Sequence, residues 1–212
     1  MKKTIYFVRH GQSEGNIGTV YQPTSSPLTG RGREQAGYAA ERAAALSFEL
    51  IVSSPIARAK ETAEAIAERT GKPIEFSNLF VERQKPANLS GKAHSDIEAQ
   101  KLNGDWEKSL YTSGYRAEDG ENFDDLILRA VQALKHLADR PEKDLLVVTH
   151  GFFLKTMVTR ILIGKTINGD SFKHFQYRVR TQNTGLSVLE FDSDLDDPSW
   201  RLLVWNDHAH LG

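Results

Sequence analysis

The stretch "TIYFVRHGQSEGN" places a cation, Arg9, beside an imidazole, His10, at the end of a short apolar run. Immediately after them, Gly11-Gln12-Ser13-Glu14-Gly15 spells G-x-S-x-G, the pattern of a serine-hydrolase nucleophile elbow. Two attacking atoms are therefore on offer, and they belong to different enzymes. An elbow needs a strand running into the turn and a helix straight after it. Here the loop-like "NIGTVYQPTSSPLTG" follows, and only ten residues precede the motif, too few for the upstream loop that would supply an oxyanion donor. Hydrolysis through Ser13 is the remoter reading, and His10 is the expected nucleophile.

Two other apolar runs end in residues suited to the same task. "ELIVSS" closes on Ser53-Ser54-Pro55, with Arg58 a turn later, and "LLVVTH" closes on Thr149-His150-Gly151. In open α/β sheets ligands bind outside the carboxyl ends of the strands, so Arg9, His10, Arg58 and His150 are expected to meet at one face. Guanidinium groups match phosphoryl oxygens with paired donors, and helix N-termini add unpaired N–H groups and positive charge. A histidine with one ring nitrogen held by a carbonyl and the other free can accept a phosphoryl group. A leaving alkoxide needs a proton. Glu82 is the expected donor and Glu14 the poorer choice.

These residues need a frame to hold them. The runs at 4–8, 49–54, 145–150, 186–191 and 201–205 read as strands, with 73–77 a weaker sixth. Helical patterns lie between them at 32–46, 55–71, 121–141 and 151–164. The helix at 55–71 shows Ser54 as cap, Pro55 at its first position and Gly71 as its stop. In the helix at 32–46, Tyr and Leu share one face with the alanines. Alternation of strands and helices predicts a three-layer α/β/α sandwich around a largely parallel sheet of about six strands. Residues 1–212 are read as a single domain, with an insertion or lid at about 78–120 where the periodicity lapses.

"FVRHGQSEGN" resembles the signature of the histidine phosphatase superfamily, the phosphoglycerate mutase-like enzymes. "SPLTGRGREQA", "SSPIARAKETA", "FVERQKP", "DGENFDDLILRA", "VVTHG" and "NTGLSVLEF" are similar to further family segments in the family's order. The resemblance implies that His10 carries the phosphoryl group, that Arg9, Arg58 and His150 line its pocket, and that Glu82 donates the proton. It also implies that Asn16 and Gln22 contact the phosphoryl group from the first loop, and that no metal or cofactor takes part. The sequence departs from the family after the acid: "ERQKPANLSGK" stands where many relatives have a Gly- and Trp-containing stretch.

The remaining features narrow the function. A net charge of -1 argues against nucleic acid or an anionic membrane as partner. The absence of cysteine removes disulfides, thiolate nucleophiles and cysteine-held metals. No run approaches the roughly 20 apolar residues of a membrane span, so a cytoplasmic protein is the expectation. "GKT" at 164–166 follows a helix instead of opening one, unlike a phosphate-binding loop. His136 reads as a surface residue, His208-x-His210 as a plain tail, and His94 and His174 are open. Arg83, Lys85, Lys92 and Arg116 are either contacts to a second anionic group or a solvated rim. The expected activity is phosphomonoester hydrolysis of a small phosphorylated metabolite. Phosphoglycerate mutase-type transfer is the alternative, and a non-catalytic phospholigand-binding module the remoter one.

Overall fold

A computed structural model describes residues 1–195 and 199–211. Six strands form one sheet in the order β3-β2-β4-β1-β5-β6. They are β1 (Lys2–Arg9), β2 (Leu50–Ser53), β3 (Ile74–Phe76), β4 (Asp144–Thr149), β5 (Leu186–Asp192) and β6 (Trp200–Asp207). Pairings among β3, β2, β4 and β1 are parallel, whereas β5 and β6 add on antiparallel. The central strands are buried on both faces and accordingly read as continuous apolar runs.

The seven helices among the described residues are α1 (Glu14–Ile17), α2 (Gly30–Ala43), α3 (Ala57–Thr70), α4 (Ile97–Lys108), α5 (Phe123–Asp139), α6 (Gly151–Ile163) and α7 (Gly169–Arg178). One face of the sheet (Val8, Ile51, Leu146, Val148) packs on alanines of α2 and α3. The other (Ile5, Phe7, Leu145, Val147) packs on leucines of α5 and on Phe153 and Met157 of α6, with Phe172 of α7 completing the layer. This is the three-layer α/β/α sandwich with a largely parallel sheet that the alternation predicted.

Several local expectations are corrected. Helix α3 begins at Ala57 with Ile56 as its N-cap, not at Pro55 behind Ser54. The Ser54 hydroxyl accepts from Ile56 N and also meets His150, so it is spent on the turn and the site. Gly71 does end the helix, at φ +68°, where a side chain would be strained. Tyr38 is 55% exposed; the buried face of α2 is made of small residues, which lets α2 lie close to α3. The 78–120 segment is more ordered than its lapsed periodicity suggested. Asp96 caps α4 through Glu98 N and Ala99 N, and Ala99 and Trp106 bury beside Leu89 and Ala117. Helix α7, absent from the expectations, is nucleated by Asn168, whose side chain accepts from Ser171 N.

Candidate active site

The sheet register lines up the three chemistry-bearing strand ends. Arg9 is level with Thr149, and Ser53 with Val148. The next residues continue the ladder: His10 N donates to Thr149 O at 3.0 Å, and Ser54 N to Val148 O at 3.0 Å. Adjacent strands β1 and β4 send their following helices, α2 and α6, to opposite faces. The resulting crevice is a topological switch point, where open α/β sheets bind ligands. Gly11 and Gly32 permit the tight departure from β1: a Cβ on Gly11 would lie 2.4 Å from Gly32 O.

His10 and His150 are 2% and 0% exposed, with ring centroids 5.0 Å apart. The Nδ1–H of His10 donates to Gly11 O at 2.7 Å, which leaves Nε2 with its lone pair. That nitrogen accepts from Arg58 Nε at 3.2 Å. Burial first, then Arg58 and Arg9, hold His10 well below the usual imidazole value against the opposing pull of the Gly11 carbonyl. His150 is depressed by burial and then by His10 and the arginines. Its Nε2 meets Ser54 Oγ at 2.8 Å, while its Nδ1 is buried without a partner.

The two arginines hold donors in reserve. Arg9 Nη1 is tied to Thr181 O at 2.6 Å, but its Nε is buried and unspent. Arg58, 4% exposed, has an unspent Nη1. Burial takes the Arg58 guanidinium down to about 10, with Glu82 opposing and Arg9 adding to the drop. Four residues read from separate segments, Arg9, His10, Arg58 and His150, are thus gathered around one spot. A neutral imidazole lone pair beside unspent guanidinium donors is the combination phosphoryl transfer requires.

Glu82 joins them in an unexpected way. Its Oε1 accepts from Phe153 N at 3.0 Å and Arg83 N at 3.0 Å, and its Oε2 from Phe152 N at 3.3 Å. The N-terminus of α6 therefore holds the Glu82 carboxyl group where a free anion site was expected, its two oxygens accepting from Phe152 N and Phe153 N. Asn16 and Gln22 converge on Ser13. Asn16 Oδ1 accepts from Ser13 N at 3.0 Å, and Gln22 Nε2 donates to Ser13 Oγ at 2.6 Å. Ser13 is fully buried, and among the described residues no imidazole hydrogen-bonds to it, which removes the base that an attacking serine needs. Glu14 lies exposed on α1.

A cavity of about 850 Å³ opens above Arg58 and Glu82, lined also by Gln22, Ser25, Ile56 and Lys85. A second, of about 490 Å³, lies beside Glu82 and Arg9 and is bounded by Phe152, Lys155 and Thr181. Of the four cations left open on the sequence, Lys85 lines the first cavity, half-buried and donating to Gln22 O at 2.7 Å. Arg83, 4% exposed, stacks on Trp106 at 3.7 Å and donates to Glu121 O, Trp106 O, Ser109 Oγ and Glu107 Oε1, neither contact nor rim. Arg116 pairs with Asp125, and Lys92 lies over a separate depression. His94 packs edge-on against Tyr21, and His174 is exposed. His136 is half-buried between Phe80 and Glu75, deeper than a surface residue. His208 and His210 bond to Asn206 O and Thr184 Oγ1.

The family pattern of the histidine phosphatase superfamily (branch 1) matches residues 5–208. The chain belongs to that superfamily. A probable phosphoglycerate mutase of Salmonella arizonae is 35% identical over 212 residues, spanning 98% of this chain and 94% of that protein. A probable phosphoglycerate mutase of Citrobacter koseri is 32% identical over the same length and shares. Among solved structures, Bacillus stearothermophilus YhfR superposes with a TM-score of 0.82 at 27% identity, covering 99% of this chain and 100% of that one. A mycobacterial glucosyl-3-phosphoglycerate phosphatase gives 0.75 at 25% identity, covering 98% and 100%. No helix among the described residues of this superfamily member is long and apolar enough to cross a membrane.

Supporting residues escaped the sequence reading. Asn183 Nδ2 donates to His10 O at 2.9 Å, and Thr62 Oγ1 accepts from Gly11 N at 3.1 Å. Arg129 grips Glu121 at 2.7 Å through two bonds and donates to Leu79 O and Val81 O, fixing the loop that presents Glu82. Asn183, Thr62 and Arg129 lie in the family-like segments "NTGLSVLEF", "SSPIARAKETA" and "DGENFDDLILRA", but no residue pattern there singled them out.

Proposed function

We propose that this histidine phosphatase superfamily member is a phosphomonoester hydrolase acting, without a metal ion, through a phosphohistidine on His10. The observation that carries the reading is the state of His10: Nδ1 tied to Gly11 O, Nε2 directed at Arg58, and burial keeping the ring neutral. The Nε2 lone pair attacks phosphorus, the ester P–O bond breaks, and Glu82 gives its proton to the departing alkoxide. Water then attacks the phosphoryl phosphorus, Glu82 takes a proton from it, and the N–P bond breaks to restore His10 and release phosphate. Arg9, Arg58 and His150 neutralise the charge on the transferring oxygens. Of the Glu82 oxygens, Oε2 has the single and longer bond and is the one to move the proton. Asn16 and Gln22 reach the phosphoryl group once the loop holding them to Ser13 shifts. The reading takes residues 1–212 as one domain with 78–120 as its cover, and small phosphorylated metabolites as substrates.

Mutase-type transfer is the second reading, favoured by the names of the 32–35% identical relatives. The names of the superposed structures favour hydrolysis. Incubation with p-nitrophenyl phosphate and excess chelator is expected to release phosphate through an acid-labile phosphoprotein. His10→Ala is expected to abolish the intermediate and lower turnover at least about 10³-fold. Turnover that needs added metal, or that survives His10→Ala, overturns the proposal. Interconversion of 2- and 3-phosphoglycerate outpacing phosphate release would replace hydrolysis with the mutase. Phosphate binding with no turnover of any ester would leave a binding module.

A further inference from the structure

Three non-glycine residues among the described ones hold a positive φ: Glu118, Thr184 and Asn206. Two of them meet beside the nucleophile. Thr184, at φ +57° and 1% exposed, lies in the turn 181–185, and Asn206, at φ +51°, braces that turn by accepting from Gln182 N at 2.6 Å. A left-handed conformation is costly for a β-branched residue. Gly185, one position along, could have adopted it freely. It is needed for closeness instead: a Cβ there would lie 2.2 Å from Asn206 Oδ1. Thr184 keeps its conformation because its hydrogen bonds on both sides leave it no other. Strain held in this way collects at functional sites.

The turn grips both members of the Arg9-His10 pair. Arg9 N donates to Gly185 O at 3.3 Å, Arg9 O accepts from Thr184 N at 2.9 Å, and Arg9 Nη1 donates to Thr181 O at 2.6 Å. His10 O accepts from Asn183 Nδ2 at 2.9 Å. On its far side Thr184 meets the closing 3₁₀ turn, Ala209–Leu211. The Thr184 hydroxyl donates to Asn183 O at 2.7 Å, so its Oγ1 is left to accept, and His210 Nε2 lies 3.2 Å from it. That makes the His210 Nε2–H the donor. Burial first and then Arg42 hold the His210 ring below the usual imidazole value, with Asp207 pulling the other way and His208 adding to the drop, so the ring is neutral near pH 7. Asp207 anchors this segment, pairing with Arg42 and accepting from Ala209 N.

Resting on the phosphatase reading above, we infer that His210 is a positioning residue for the nucleophile. Through Thr184 it locks the 181–185 turn in the conformation that fixes the carbonyl groups of Arg9 and His10. Three hydrogen bonds in series, His210 to Thr184, Thr184 to Asn183 and Asn183 to His10, carry that placement to the attacking imidazole. In-line attack tolerates little error, since a misplacement of about 1 Å can cost about 10²-fold in rate.

The test compares His210→Phe, which removes the donor, with His210→Gln, which restores one at similar reach. On p-nitrophenyl phosphate His210→Phe is expected to lower kcat about tenfold, with KM changed less than about twofold. His210→Gln should recover most of that loss. Thr184→Val keeps the shape without the hydroxyl and should lose as much, and the double variant with His210→Phe should lose no more than either alone, because both act through one series of bonds. Parent-like kcat in His210→Phe, no recovery in His210→Gln, or additive losses overturn the inference. The proton NMR signal of His10 Nδ1–H, assigned by its absence in His10→Ala, reads the same geometry without turnover. It should shift in His210→Phe and return in His210→Gln. If the parent hydrolyses no ester, that shift still upholds the positioning role while the phosphatase reading falls. An unmoved signal overturns the positioning role and leaves any turnover intact.

Discussion

Arg58, on the floor of the site, and Arg83, in the covering segment, are equally buried at 4% exposure, and burial takes both guanidinium groups down to about 10. Their surroundings differ. Arg83 spends its donors on four acceptors and lays its face on Trp106, while Arg58 keeps a buried Nη1 with nothing to bond. Burial alone therefore does not mark function. What separates the two arginines is whether their donors are satisfied by the protein itself: those of Arg83 are, and the Arg58 Nη1 is not.

Substitution sharpens this contrast. Arg58→Met is expected to lower kcat/KM on p-nitrophenyl phosphate by roughly 10³-fold or more, as for other arginines facing a transferring phosphoryl group. The same change should leave urea stability unchanged or raised, because it removes a buried charge that lacks its counter-ion. A comparable loss of stability would erase the distinction drawn here. In the cover the order reverses. Arg129→Met strands Glu121 and is expected to cost about 3–5 kcal/mol in urea unfolding. Arg83→Met leaves carbonyl and hydroxyl groups unpaired, for about 1–3 kcal/mol. If either variant proves as stable as the parent, the cover is not held as described.

The smallest effect concerns pH. His10 and His150 both bind protons less readily folded than unfolded. Above pH ~7 neither state is protonated, and they contribute no pH dependence. Below the ordinary value of about 6.5 the unfolded chain takes up protons that the folded one refuses, so stability falls as pH falls. Each group contributes a slope approaching about 1.4 kcal/mol per pH unit. Urea titrations at pH 7.5 and 5.5 should show a shallower decline for His10→Asn than for the parent. Equal slopes would mean that His10 is protonated in the native state.

Sequence legibility divides along the same line. Strand ends and the helices after them were readable because apolar runs, Gly71 and the "SSPIAR" lead-in are local signals. The meeting of Arg9, His10, Arg58 and His150 followed from one rule about where parallel strands point. Helices α4 and α7 were not readable by period, since what starts them is a single cap, Asp96 or Asn168, amid polar residues. Arg83 was left open between an anion contact and a solvated rim because its acceptors arrive from 23 to 38 residues away in the chain. Glu82 was expected beside the arginines and histidines, yet its bonds to Phe152 and Phe153 depend on tertiary approach that no motif encodes.

The level register of β1 with β4, and of β2 with β4, has a consequence for assembly. Moving any one of these strands along by a single residue would turn its side chains to the wrong face. It would bury polar groups in the sandwich and disperse the histidines in the same stroke. The cluster of Arg9, His10, Arg58 and His150 is thus itself a gauge of correct folding, because only the native register brings the four together.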